Sequence, residues 1–222
     1  MDVAVIALDR PTGVTDNHIL DTALVLVARW GVAKTALSDL AREAGCSRAT
    51  LYRAFPGGKQ QLFEALGQRE LCTYLATIVA AIDDADNLEN ALTDALAVAA
   101  QSLRDHRAAQ FVLDYEPGLV LPFLGFQQVD VLYRHAAASI GPHLERFLPA
   151  HRAAWAAEWA ARLLLTYLFH PDGDDGLANR DHTRHLVVTF VLPSFAADLH
   201  PTPTAGNATK ETRHDHHRHV LQ

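Results

Sequence analysis

The chain holds only two cysteines and one methionine in 222 residues. Two thiols, Cys46 and Cys72, cannot build the disulfide framework of a small secreted domain, and a chain this long buries a core without one. Long apolar runs are also missing. The longest, Leu75 to Ile82, falls far short of the roughly 20 residues that span a bilayer. The first twenty residues carry Asp2, Asp9 and Asp16 with no basic cluster ahead of an apolar stretch, so no signal peptide is read. A cytoplasmic protein with no membrane contact is therefore expected. Gly-rich phosphate loops, Gly-x-Ser-x-Gly and His-Glu-x-x-His are absent, so nothing calls for an enzyme, a cofactor or a bound metal. Strand-type alternation between turns is lacking as well, and Ala and Leu dominate. An all-α fold is expected.

What is present is ordinary globular composition, 49% hydrophobic and 20% charged, with a net charge of −7. The sum argues against a nucleic-acid binder, but the distribution argues for one. Residues 34–59 hold Lys34, Arg42, Arg48, Arg53 and Lys59 against Asp39 and Glu43, a local balance of +3. The chain from residue 60 onward carries a balance of −8. A short basic segment on an acidic body suits a small DNA-binding module joined to something else, although chance clustering gives the same arithmetic.

Residues 1–15 have no helical period and contain Pro11 and Gly13, which predicts a loose arm. Ile19, Ala23, Leu26, Val27 and Trp30 then recur at helical spacing, with Thr15 or Asp16 as N-cap and Gly31 as stop. Thr35 is placed to cap a second helix bearing Leu37, Leu40, Ala41 and Ala44, ending at Gly45. Ser47 is placed to cap a third, Arg48 to Phe55, closed by Pro56-Gly57-Gly58. Longer helical patterns follow, punctuated at Asp83–Asn87, His106, Glu116-Pro117-Gly118, Gly141-Pro142, Pro149 and residues 170–176. After Pro201 the chain turns Pro/Thr/Gly-rich and ends with His214, His216, His217 and His219, a tail with little to bury. The organisation expected is an arm (1–15), a helix-turn-helix domain (16–62), a ligand-binding and dimerisation domain (63–200) and a His-rich disordered tail (201–222).

Two short helices around Ala44-Gly45-Cys46 have the arithmetic of a helix-turn-helix. Gly45 can take the positive φ of the turn, and small Cys46 can tuck between the helices. On the third helix Leu51 and Phe55 share the inward face. Ala49, Thr50 and Arg53 point away, with Arg48 and Tyr52 on the flanks. Such a face suits a major groove: a small residue lets the backbone approach and arginine can grip guanine. Ser47 and the helix N-terminus can meet phosphate.

These residues carry a resemblance. Gly31-Val32-Ala33-Lys34-Thr35, then Leu40-Ala41-Arg42-Glu43-Ala44-Gly45-Cys46-Ser47-Arg48-Ala49-Thr50-Leu51-Tyr52-Arg53-Ala54-Phe55, then Lys59, resemble the DNA-binding domain of TetR/AcrR-family transcriptional regulators over about residues 16–66. The resemblance implies phosphate contacts by Thr35, Tyr52 and Lys59 and base reading by Arg48, Ala49, Thr50 and Arg53. One departure stands out: three residues, Pro56, Gly57 and Gly58, separate Phe55 from Lys59, where many members have two. The Gly57–Lys59 amides offer an alternative phosphate contact. Glu116-Pro117 with Leu119, Leu121 and Pro122, and Phe190-Val191-Leu192-Pro193, resemble an actinobacterial-type branch of the family.

The function expected is a ligand-responsive repressor that binds a palindromic double-stranded DNA operator as a homodimer. Dimerisation is assigned to helices at about 150–169 and 180–199, through Trp155, Trp159, Leu163, Val187, Phe190 and Val191. Trp155 and Trp159 at i, i+4 could instead line a ligand cage, but their spacing with Leu163 favours a packing stripe. Proline and glycine breaks between residues 83 and 148 leave room for a small molecule lined by Phe111, Tyr115, Leu119, Phe123, Phe126 and Tyr133. Arg104, Arg107 or His106 could meet a carboxylate at its edge. That lining predicts a hydrophobic, lipid-like effector. The alternative is a helical small-molecule- or metal-binding protein whose helix-turn-helix no longer touches DNA; the tail histidines, or Asp181 with His182 and His185, would then be ligands. A redox pair of Cys46 and Cys72 is disfavoured, because a cysteine in the turn fills a packing position.

Overall fold

The computed structural model describes residues 14–120, 129–169 and 176–195, which are helical with no strand among them. Helix α1 (Val14–Lys34) buries Ile19, Leu20, Ala23, Leu26 and Val27. Gly31 interrupts it as expected: φ is 81° and ψ 173°, and one further turn runs on to Lys34. Helix α2 (Leu37–Glu43) starts from Ala36, whose carbonyl accepts from Leu40 N–H. Thr35 therefore sits one residue too early to cap it, and its hydroxyl donates to the Gly31 carbonyl at 2.7 Å instead. Gly45 takes φ 61° in the turn. Helix α3 (Arg48–Ala54) is capped as expected, Thr50 N–H donating to Ser47 Oγ at 3.0 Å.

Helix α4 (Gly58–Asp83) has 26 residues and so extends about 39 Å. It runs unbroken across the boundary expected at residues 62–63. Leu62 and Leu66 complete the first core with α1, α2 and α3, while Ile78 and Ile82 belong to a second. One rod thus serves both halves. Helix α5 (Leu88–Asp105), capped by Asn87, lays Leu88, Ala91, Leu92, Ala95, Leu96 and Ala99 into the second core. Tyr74 on α4 donates to Ala99 carbonyl at 3.2 Å, and burial pushes its phenol above the ordinary tyrosine range, so it stays a donor. His106 closes α5 and opens α6 (Arg107–Tyr115), its Nδ1 accepting from Ala109 N–H at 3.0 Å. Helix α6 turns back: Ala108 is buried in the first core and Val112 packs against it. A 3₁₀ turn, Pro117–Leu119, follows the break at Glu116.

Helices α7 (Val129–Leu144) and α8 (Ala150–Phe169) form a hairpin. Pro142, expected to break the chain, lies inside the last turn of α7; the helix ends two residues on, so little ladder is lost there. Gly141 lets the hairpin close, since a Cβ there would stand 3.2 Å from Ala154 Cα. Ala153, Ala156 and Ala157 are buried on α8. Helix α9 (Arg180–Leu186) starts at Asn179, which accepts from His182 N–H at 3.0 Å. The helix expected over 180–199 changes type within the described residues: a π turn (Val187–Val191) and a 3₁₀ turn (Leu192–Phe195) continue α9, and residues 196–199 lie outside them. Arg180 reaches Asp94 at 2.6 Å and Arg184 reaches Glu89 at 2.7 Å, tying α9 to α5. No helix among the described residues is long and apolar enough to cross a membrane.

Candidate nucleic-acid interface

The interface is built on α3, and its two faces separate as its spacing predicts. Leu51 and Phe55 are buried with Leu40 and Ala41, and Cys46 packs against the same core. Arg48, Ala49 and Arg53 are exposed, Thr50 is half-buried, and Tyr52 is 50% exposed. Thr50 Oγ1 lies 2.9 Å from Ser47 Oγ, and Arg53 Nη2 reaches the same hydroxyl at 3.5 Å. The first turn is thus held by its own side chains, while both guanidinium groups stay at the surface. Arg42, on α2, pairs with Asp39 at 3.0 Å.

The phosphate contacts implied by the resemblance fare unequally. Tyr52 stands at the surface. Lys59 donates to the Ala33 carbonyl at 2.9 Å and lies 5.7 Å from the Phe63 ring centre. An ammonium has three donors, so this bond fixes its position and leaves others for a ligand. Thr35 is buried with its hydroxyl given to Gly31, so its side chain is not offered to solvent. Of the backbone amides offered as the alternative, Gly57 N–H donates to Gln61 Oε1 at 2.7 Å and Gly58 N–H to Phe55 carbonyl at 2.9 Å.

Among the described residues, those expected to surround an effector do not gather round one cavity. Phe123 and Phe126 lie outside the described residues. Phe111 stacks with Tyr115 at 4.8 Å, but Phe111 faces Gly31 of α1 and Tyr115 is 73% exposed. Leu119 is exposed. Tyr133 lies under the Arg162 guanidinium, 4.0 Å from its ring centre, in the α7–α8 hairpin. A cleft of about 390 Å³ opens at the joint of α1, α4 and α6, walled by Leu24, Val25, Ala28 and Ala108 with polar Arg29, His106 and Arg107. Arg107 is in that lining; the aromatic residues are not. His106 Nε2 meets Glu70 Oε2 at 3.1 Å, and Glu70 is paired with Arg69, which reaches Asp21 of α1 at 2.7 Å.

The face assigned to dimerisation is partly exposed. Phe190 is 69% and Trp159 45% exposed. Trp155 packs within its own chain on Phe195 at 5.1 Å, under Arg152. Leu163 and Val191 lean on the second core. Val187 is 0% exposed and belongs to that core, so it cannot lie on an intersubunit face; the π turn takes it out of register with Phe190. The tail histidines lie outside the described residues.

Glu116 makes a long-range contact beside this module that sequence reasoning missed. It was legible only as part of a Glu-Pro break, yet its carboxylate accepts from Val32 N–H at 2.7 Å and Ala33 N–H at 2.8 Å, more than eighty residues away.

A surface helix-turn-helix carried on a larger helical body is the architecture this chain shares with helix-turn-helix transcriptional regulators. Residues 19–66 match the family described as bacterial regulatory proteins, tetR family. An uncharacterized HTH-type transcriptional regulator of Mycobacterium tuberculosis is 29% identical over 201 residues, which covers 87% of this chain and 95% of the relative. Among solved structures, the TetR family repressor AlkX from Dietzia sp., implicated in biodegradation of n-alkanes, superposes with a TM-score of 0.62 at 20% identity over 86% of this chain and 100% of its own. The regulator FadR from Bacillus subtilis, solved with stearoyl-CoA, gives 0.52 at 15% identity over 78% of this chain and 97% of its own. The N-terminal module is thus similar to the DNA-binding domain of the tetR family over residues 19–66, and the remainder shares the fold of these regulators.

Proposed function

We propose that the protein is a repressor that binds a near-palindromic operator as a homodimer and is released by a hydrophobic, lipid-like effector. The observation that carries the DNA-binding half is the outer face of α3: Arg48, Ala49 and Arg53 are exposed over a fully formed module in which Ser47, Leu51 and Phe55 do their structural work. Arg48, Ala49, Thr50 and Arg53 read bases in the major groove, and Ser47, Tyr52 and Lys59 meet the backbone. A degenerate module would have no reason to keep this face exposed and basic. Thr35 serves the site from inside, by holding the turn after Gly31.

Two such modules on a two-fold dimer read half-sites about one or more helical turns apart. The exposed Trp159 and Phe190 supply aromatic anchors for that pairing. The lipid-like effector rests on the apolar, aromatic composition of the middle helices and accords with the n-alkane and stearoyl-CoA associations of the two solved structures. To move an operator-competent population from 99:1 to 1:99, it must favour the released geometry by about 5.5 kcal/mol.

The test selects bound fragments from random duplex DNA, then titrates the complex with long-chain fatty acids and acyl-CoA and, separately, with zinc and nickel. Enrichment of an inverted repeat and release by the aliphatic ligands are expected. Release by metal alone, lost when residues 202–222 are deleted, would transfer the sensing role to the His-rich tail.

A further inference from the structure

We propose that Glu116 is a positioning residue for DNA binding: it clips the broken end of α1 to the helical body and thereby sets Lys59 against the DNA backbone. At Gly31 the chain leaves the helix, so Val32 and Ala33 open a new turn whose amides have lost their place in the α1 ladder. Both amides are taken by one carboxylate, Oε2 of Glu116 accepting from Val32 at 2.7 Å and Oε1 from Ala33 at 2.8 Å. Two charge-assisted bonds from a single side chain fix orientation as well as distance.

The approach is so close that a Cβ on Gly31 would stand 2.6 Å from both Glu116 Oε1 and Phe111 Cε1. Glycine is required there twice over, for its φ of 81° and for the space. Pro117 fixes the backbone just after the carboxylate and opens the next turn.

The clipped turn is also the one that holds the phosphate-side groups. Ala33, whose N–H binds Glu116, offers its carbonyl to Lys59 Nζ at 2.9 Å. Gly31, beside the clip, offers its carbonyl to buried Thr35 at 2.7 Å. One peptide segment therefore links the end of α6 to Lys59 through two hydrogen bonds. Any shift of α6 against α1 must either break the clip or carry the turn, and Lys59 with it. This inference rests on the DNA-binding reading and on Lys59 as a backbone contact.

The test uses the full chain, an inverted-repeat duplex selected by the wild type, and salt titrations. Glu116→Gln keeps the size of the side chain but loses its charge and places an N–H₂ where one acceptor stood. It is expected to weaken operator and random duplex alike by about tenfold and to lower the salt slope by about one, as loss of one phosphate contact does. In a Lys59→Ala background the same change is expected to be nearly silent, because the two act in series. Hydrogen exchange at the Val32 and Ala33 amides should quicken in Glu116→Gln without DNA, while the melting transition stays cooperative. Equal loss in both backgrounds, or an unchanged salt slope beside normal wild-type binding, would overturn the proposal. Unchanged exchange at both amides would overturn the clip itself. Failure of the wild type to bind any duplex would instead sink the DNA-binding reading, leaving the exchange result to judge the clip.

Discussion

Gly31 and Gly45 are both left-handed, at φ 81° and 61°, yet their surroundings differ. A Cβ at Gly45 meets nothing within 4 Å, so Gly45→Ala carries backbone strain alone, about 1–2 kcal/mol. At Gly31 the ψ of 173° puts the backbone in a region essentially restricted to glycine, and overlap with Glu116 and Phe111 is added. Gly31→Ala is therefore expected to destabilise clearly more than Gly45→Ala, by about 3 kcal/mol or more once the displaced contacts are added. Urea unfolding of both variants checks the order, and equal midpoints would refute it. On the recognition face, Arg53→Ala is expected to weaken the operator by about 1–3 kcal/mol and relax the preference at one base pair, while Tyr52→Phe weakens all duplexes alike. Binding of single-site operator variants separates the two. Local signals at this scale were legible from sequence: Ser47 caps because its hydroxyl, placed just before a short helical run, can accept from the free amide three residues on, and Leu51 and Phe55 face inward by helical spacing. Glu116 and Phe111 were not legible in their roles, since their partners stand eighty or more residues away and nothing local names them.

At the scale of elements, some helix limits followed from caps and glycines, as at Ser47 and Gly45, while others, at Thr15 and Thr35, and the packing partners did not. Helix α4 carries apolar residues along its whole length, and the pattern has no mark where Leu66 serves one core and Ile78 the next. Helix α6 follows α5 directly but docks on α1, because His106 turns the chain back with its own side chain as the cap. Extrapolating a 3.6-residue period past Leu186 put Val187 and Phe190 on one row. The wider turn at Val187–Val191 separates them, one at 0% exposure and the other at 69%. The α7–α8 hairpin offers a direct test of close packing. Gly141→Val puts two methyl groups where a single Cβ would stand 3.2 Å from the Ala154 backbone. The backbone of α8 cannot yield as a flexible side chain would, so a loss of about 1–3 kcal/mol is expected. Thermal melts read it, and a stability equal to wild type would mean that the helices sit further apart than described.

The whole molecule joins a basic helix-turn-helix head to an acidic remainder, and under the proposed function the balance between them decides how it meets DNA. Residues 34–59 carry +3 while the chain's net charge is −7, so attraction to duplex DNA acts only over the head and is screened within about 10 Å at 0.1 M salt. A single head of this kind binds weakly; two held in fixed register multiply their affinities through effective concentration. The residues proposed to hold two copies together are apolar where a monomer gains nothing from them: Phe190, Val188 and Trp159 all stand exposed. Burying such aromatic anchors against their two-fold mates recovers free energy that a lone chain forgoes. Phe190→Glu with Trp159→Glu places like charges opposite each other across that axis while touching neither the buried core nor α3. The double variant is expected to sediment as a monomer at micromolar concentration where the wild type sediments as a dimer. It should retain the helical content and melting of the wild-type subunit, lose at least a hundredfold in affinity for the inverted repeat, and keep the wild-type affinity for an isolated half-site. Full affinity for the inverted repeat in a monomeric variant would show that the two heads are not coupled through this face.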